Sequence, residues 1–425
     1  MFLFIKYTIN MEIQIGKAKQ IGDIEVVERK GVGHPDTLSD ALAEELSRTY
    51  ANYTLKEFGY ILHNDFDKVG IVGGKSAVKF GEGSITKQII LLLNYRASYS
   101  FGGSTIPVED FIGTTAKNFL IRRYPQLKDT DLKVIQNWNP SSSPGNVDSK
   151  KEGPRKYWFN PRSKEDLPEL ESLKANDSVV ACGYAPYSLA DRICLETENY
   201  LNSAEYKAAN KWSGSDIKLQ VITQGDDSAD MTICVPQIAA YVNSLEDYKD
   251  NLERVKQDIA KYISENISGS VKLKINLNTR DNFDLPELYL TAIGSSIESG
   301  DIGLVGRGNR ANGLISSNHP ISIEAPYGKN PVYHVGKIYT VLSNKLAVSI
   351  SELTNAYTEV YLMSQSGRLI KDPWKVVIKN DRLNSSTENE DRTQVRKMVR
   401  DALDSVGEVT TDLVNGKLDI MNLRW

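Results

Sequence analysis

Between Asp301 and Lys337 the chain reads DIGLVGRGNRANGLISSNHPISIEAPYGKNPVYHVGK, which has neither the period of a helix nor the alternation of a strand. Six glycines, three prolines and four basic side chains share it with only two carboxylates. A loop of this kind gives up packing for backbone freedom and leaves its cations with few acids nearby. The work it suits is wrapping a polyanion with backbone amides and Lys/Arg heads.

The rest of the chain is compatible with that reading. At 425 residues it can hold two or three domains with buried cores. A net charge of −4 provides no basic field for nucleic acid or an anionic membrane, so phosphate binding must come from local clusters. No apolar run approaches the roughly 20 residues that span a bilayer. Cys182, Cys194 and Cys234 are too far apart for a metal knuckle and suit free thiols in a reducing, cytoplasmic compartment. His34, His63, His319 and His334 form no zinc pattern.

Periodicity and punctuation predict the following elements. Residues 1–20 read as a frayed extension and Ile24–Arg29 as a strand running into the Gly31-Val32-Gly33 turn. Helices are expected over 36–55, 107–124, 189–203, 248–267, 332–345 and 390–405. Strands are expected over 69–73, 88–95, 179–184, 217–223, 229–240, 271–277 and 288–293, with another starting at 347–350. Residues 139–176, rich in Ser, Pro, Lys and Asn, read as a surface excursion. Within it Ser163-Lys164-Glu165-Asp166 resembles a capping box, and Arg162, Ser163 and Lys164 would make an anion-binding helix start, or simply a capped surface helix. Strands outnumber any strict β-α-β rhythm, which favours an α+β fold.

Two phosphate motifs nearly appear and fail. Gly70-Ile-Val-Gly-Gly-Lys-Ser76 ends like a P-loop, but its first glycine is one residue too close and no helix follows. Gly306-Arg-Gly-Asn-Arg-Ala311 fits G-x-G-x-x-A, yet Gly313 would break the helix that motif needs. More telling is Gly31-Val-Gly-His-Pro-Asp36. It sets His34 and Asp36 at a strand-to-helix junction, where free amides and the helix dipole favour anions. Asp36 beside phosphates would call for Mg²⁺ between them; the alternative is that Asp36 merely caps the helix.

Taken in order, G-H-P-D, N-D-S-V-V-A-C-G-Y-A-P, D-I-K-L-Q-V, D-I-G-L-V-G-R and G-K-N-P resemble the S-adenosylmethionine synthetase family. The forms G-R-G-N-R-A-N-G-L-I and G-K-N-P-V-Y-H-V-G-K-I-Y resemble its archaeal-type branch, and the likeness runs from about residue 20 to the C-terminus. What the resemblance implies is a methionine adenosyltransferase. Methionine sulfur attacks C5′ of ATP and expels the triphosphate, which is then hydrolysed to phosphate and diphosphate. A thioether needs no base, so the first step asks for alignment and positive charge at the leaving group.

Carried over residue by residue, the resemblance places His34 near the C5′ oxygen and makes Asp36 a Mg²⁺ ligand, with Glu28 near a metal or the phosphates. Lys218, Arg307 and Lys329 match triphosphate-binding cations. Asp177 resembles the acid that helps hold adenosine, and Asp301 the one that meets the methionine ammonium. Arg310 and Lys337 are additional substrate contacts. The bacterial and eukaryotic branch keeps carboxylates for a second metal and for K⁺ where this chain has Val332–Gly336 and Asn64, so a second Mg²⁺ and a K⁺ requirement stay open. Glu324 could stand in, and Lys75 occupies roughly the place of a methionine-contacting Glu.

The implied fold is three similar α/β-layer domains with pseudo-threefold symmetry, interleaved in sequence. They would comprise 21–34 plus 178–300, 35–125 plus 301–336, and 126–177 plus 337–425, after the extension at 1–20. Implied too is a homodimer or dimer of dimers, with active sites between subunits, acting on ATP and L-methionine and on neither nucleic acid nor membrane.

Overall fold

The computed structural model describes residues 12–18, 22–140, 153–385 and 389–423. It is a mixed α/β structure, with ten α-helices among the described residues and three sheets of four or five strands. None of those helices is long and apolar enough to cross a membrane.

The five-stranded sheet runs Lys272–Leu277, Ser228–Cys234, Lys218–Gln224, Ile24–Lys30, Ile315–Ser316. Alternation shapes it: Leu219, Val221 and Val27 are buried beneath the Leu189–Leu201 and Leu245–Asn266 helices, whereas Gln220 and Ile222 face outward. A second sheet runs Ile302–Leu304, Asn64–Val72, Ile89–Ala97, Leu132–Trp138. The Pro35–Phe58 and Val108–Arg123 helices bury Leu38, Leu42, Leu46, Ile112 and Phe119 against its core. The third runs Ile13–Gly16, Lys375–Lys379, Thr358–Met363, Val180–Ala185, beneath the Val335–Thr354 and Asn389–Asp404 helices. Each sheet thus backs onto its own apolar cluster, and each draws strands from distant parts of the chain.

Several expectations are corrected. Ile13–Gly16 is no frayed extension but an edge strand, parallel to Lys375–Lys379 with Ile13 opposite Val376; residues 1–11 lie outside the described residues. The expected strand at 347–350 is helix, because Ile338, Leu342, Leu346 and Ile350 recur every fourth residue on a buried stripe, and burial overrides β-branched propensity. Much of the 139–176 excursion is packed rather than superficial: Phe159, Leu167 and Ala175 are buried, with 141–152 outside the described residues. A hairpin, Lys75–Lys79 with Glu82–Lys87, had no sequence signal strong enough to predict it.

The Asp301–Lys337 stretch is also not structureless. Ile302–Leu304 and Ile315–Ser316 each add an edge to a sheet, where strands of two or three residues are too short to show a period. Here Gly303 is required by close approach. A Cβ on it would lie 1.9 Å from the Pro35 carbonyl oxygen, so the strand touches the start of the Pro35–Phe58 helix.

Candidate active site

The Gly31-Val32-Gly33 turn is pinned by two backbone bonds, Gly31 N to Ile217 O at 2.7 Å and Gly33 N to Ser215 O at 3.1 Å. His34 follows as the N-cap of the Pro35–Phe58 helix, and its Nδ1 accepts from the Asp36 amide at 3.2 Å. An amide can only donate, so Nδ1 carries no proton and Nε2–H is left for a ligand. Burial lowers the His34 pKa below its ordinary value, against the pull of Asp216 and Asp36. Burial likewise raises that of Asp216, whose carboxylate is tied by Ser296 N at 2.9 Å and Ser296 Oγ at 2.6 Å.

His34, Asp216, Lys218 and Asp301 line one cleft of about 820 Å³. Lys218 opens its strand and lies 3.2 Å from Glu28 Oε1 across the sheet. Burial favours the neutral Glu28 carboxyl, but the Gln220 hydrogen bond and the Lys218 and Lys30 charges outweigh it and hold the pKa below the usual value. Asp301 accepts from Ser296 Oγ at 3.1 Å and from the Ile302 amide at 2.8 Å.

A second cleft, of about 690 Å³, collects Arg307, Lys329 and Asp177. Arg307 is exposed, and its guanidinium has no hydrogen-bond or ion-pair partner among the described residues. Lys329 is buried and paired with Glu324, and burial lowers its pKa. Lys68 and Arg96 add positive charge; Asp65 and Asp67 face them, with Asp65 pushed up to about 6 by burial and by the Asp67 charge.

The cations expected around one shared cleft are therefore divided between two on a single chain. Lys30 links them: its Nζ donates to Asp36 Oδ2 at 2.9 Å and to the Arg307 carbonyl at 2.6 Å. Asp40, one turn after Asp36 on the same helix, accepts the Gly306 amide at 2.7 Å and so holds the Arg307 turn.

Other expected contacts are used elsewhere. Arg310 spends its guanidinium on the carbonyls of Gly306, Gly308 and Ser322, bracing the loop from within. Lys337 is fully buried, bonded to Glu44 at 2.7 and 2.8 Å and to the Lys329 carbonyl at 2.7 Å. Ser163 caps only a three-residue 3₁₀ turn and makes no capping bond, because Asp166 is clamped instead by Arg162, which also lies over Tyr157. Neither Arg310, Lys337, Arg162, Ser163 nor Lys164 lines either cleft. Removing Lys337 should accordingly affect stability: Lys337→Met leaves a largely buried carboxylate unpaired and is expected to cost about 3–5 kcal/mol. Urea unfolding at pH 7 checks this, and a loss under about 1 kcal/mol would mean that Glu44 simply rehydrates.

Asp36 Oδ1 accepts the Leu304 amide at 3.0 Å, and its other oxygen meets Lys30. Among the described residues no set of three His, Cys, Asp or Glu side chains could hold a metal by itself. Sequence reasoning overlooked Asp216, although it stands two residues before Lys218 in the same motif, as well as Lys30 and the Asp65/Asp67 pair.

A model of the S-adenosylmethionine synthetase (AdoMet synthetase) family matches residues 8–417. The chain belongs to the S-adenosylmethionine synthetase family. It is 36% identical over 398 residues to the S-adenosylmethionine synthase of Methanothermobacter marburgensis, covering 93% of this chain and 95% of that one. The Thermoplasma acidophilum S-adenosylmethionine synthase is 34% identical over 401 residues, covering 94% and 95%. A solved structure, described as an unusual S-adenosylmethionine synthetase from Campylobacter jejuni, superposes with a TM-score of 0.56 at 16% identity, over 91% of this chain and 93% of that one. That likeness carries the fold alone. Family membership and the relatives together make the chain a methionine adenosyltransferase, which forms S-adenosylmethionine from ATP and L-methionine and hydrolyses the triphosphate to phosphate and diphosphate.

Proposed function

We propose that the two clefts are halves of one active site, completed when a second copy of the chain sets its Arg307 cleft against the first copy's His34 cleft. The observation carrying this reading is the bare Arg307 guanidinium in a cleft already rich in Lys329, Lys68 and Arg96. Lys329, Lys68 and Arg96 are already paired with Glu324, Asp67 and Asp65, so the guanidinium left without an acid among the described residues is the charge that suits a polyphosphate supplied from outside. A homodimer, or a dimer of dimers, is supported by apolar side chains left on outward sheet faces and loops: Ile24, Val26, Ile222, Ile302, Leu304 and Ile323 are all exposed.

Within the joint site, His34 Nε2–H steadies charge at the C5′ oxygen as the sulfur attacks, and Lys218, Arg307 and Lys329 hold the departing triphosphate. Asp177 holds adenosine and Asp301 the methionine ammonium. Asp36 and Glu28 would hold Mg²⁺ together with phosphate oxygens. They fit a hard cation that takes one or two carboxylates plus substrate, since the present partners include flexible lysine heads that can turn to the phosphates. Bound there, the ion would neutralise phosphate charge. The three sheet-and-helix clusters support a reading as three interleaved pseudosymmetric domains, and the free thiols of Cys182, Cys194 and Cys234 support a cytoplasmic setting.

Pure protein given ATP, Mg²⁺ and labelled methionine should release phosphate and diphosphate only when methionine is present. ATP turnover indifferent to methionine, or nucleotide binding without turnover, would refute the reading. His34→Ala should slow sulfonium formation about 10²-fold while leaving hydrolysis of added triphosphate within a few-fold. Equal loss in both half-reactions would make His34 a structural cap.

A further inference from the structure

His334 stands where His34 does, at a helix N-cap, yet behaves differently. It precedes the Val335–Thr354 helix and makes no side-chain capping bond. The first amide of that helix, Val335 N, is taken by Asn176 Oδ1 at 3.1 Å. Only 7% of His334 is exposed, and its Nδ1 is buried with no hydrogen-bond partner. No hydrogen bond or ion pair engages its other ring nitrogen among the described residues. Buried imidazoles ordinarily satisfy both nitrogens, so a ring that satisfies neither is kept for something else. That ring lines the cleft of Arg307 and Lys329.

We propose that His334 binds the triphosphate in this cleft, its ring N–H donating a hydrogen bond to a phosphate oxygen beside Lys329. The inference rests on the reading of the cleft given above. The groups facing the ring come from three elements: Lys329 from the loop before it, Asp67 and Lys68 from the Asn64–Val72 strand, and Lys337 from its own helix. Burial, then Lys329, lower its pKa to about 3, with Asp67 opposing. The ring is therefore uncharged at working pH and offers one N–H and one lone pair. It cannot lend a proton as an imidazolium could. What it supplies is a donor of constant strength, positioned by the start of a 20-residue helix whose dipole favours the same anion.

The test uses inorganic triphosphate as substrate, alongside the full reaction, with His334→Ala, His334→Phe and His334→Gln. Phenylalanine fills the space without a donor; glutamine keeps a donor. Loss of about 10²-fold in triphosphate kcat/KM is expected for the Ala and Phe variants, with substantial recovery in Gln. The ratio of wild type to Gln should stay level from pH 6 to 9, since neither side chain titrates there. Ala and Phe variants within twofold of wild type would overturn the proposal, and so would a Gln variant no better than Phe, which would reduce His334 to packing. A wild-type protein that turns over neither triphosphate nor ATP with methionine would instead bring down the underlying reading of the cleft.

Discussion

Arg307→Ala should lower turnover by roughly 10²- to 10³-fold with the fold intact. The expectation follows from where its guanidinium is and what surrounds it. The side chain is exposed on the cleft wall and unpaired among the described residues, so its removal leaves no buried partner stranded and opens no cavity. The loss should therefore be catalytic. Charge accumulates on the leaving triphosphate as the C5′–O bond breaks, and a cation fixed there is worth more in the transition state than in the ground state. The drop should appear mainly in kcat, with unchanged thermal unfolding, and Arg307→Lys should recover part of it because a point charge replaces a fork. Arg310→Ala is the contrast. Its guanidinium braces three loop carbonyls, so its loss should lower stability before anything else. An Arg307→Ala protein that turns over within threefold of wild type would remove the triphosphate assignment for this loop.

Gly303→Ala should be the most damaging single methyl group. A Cβ there would sit 1.9 Å from Pro35 O, 2.1 Å from Pro35 C and 2.7 Å from Asp36 N, all backbone atoms that no rotamer change can move. Relief requires parting the Ile302–Leu304 strand from the Pro35–Phe58 helix, which breaks the Leu304 amide bond to Asp36 and shifts the Lys30 bridge to Arg307. A cost of about 3 kcal/mol or more is expected, read as a lower urea midpoint. Turnover should fall further than stability explains, because His34 and Arg307 lean on that one contact from opposite sides. Wild-type melting and turnover in Gly303→Ala would show that the two elements slide apart freely.

Much of this was legible in the chain. The Gly31–Asp36 turn, the Lys218 strand and the cationic loop all stand where their spacing placed them, and the long helices kept their expected centres except the one expected over 332–345, which runs on as Val335–Thr354. Short edge strands were not legible, since Ile302–Leu304 and Ile315–Ser316 exist only through partners hundreds of residues away. The Ala347–Ile350 segment misled because two β-branched residues, Val348 and Ile350, say little once their neighbours bury them in a helix.

The residue types, their order and the family they declare were settled by sequence alone, for chemistry at a triphosphate demands those side chains wherever they fold. Which of them remain available was decided only in three dimensions. Arg307 and Arg310 are three residues apart on one loop and look interchangeable in the sequence; Lys329 and Lys337 sit equally close to a shared motif. A guanidinium or ammonium is consumed by whatever acceptors the folded backbone brings within about 3 Å, and those acceptors, Ser322 O and the Glu44 carboxylate among them, come from parts of the chain whose approach no local pattern records.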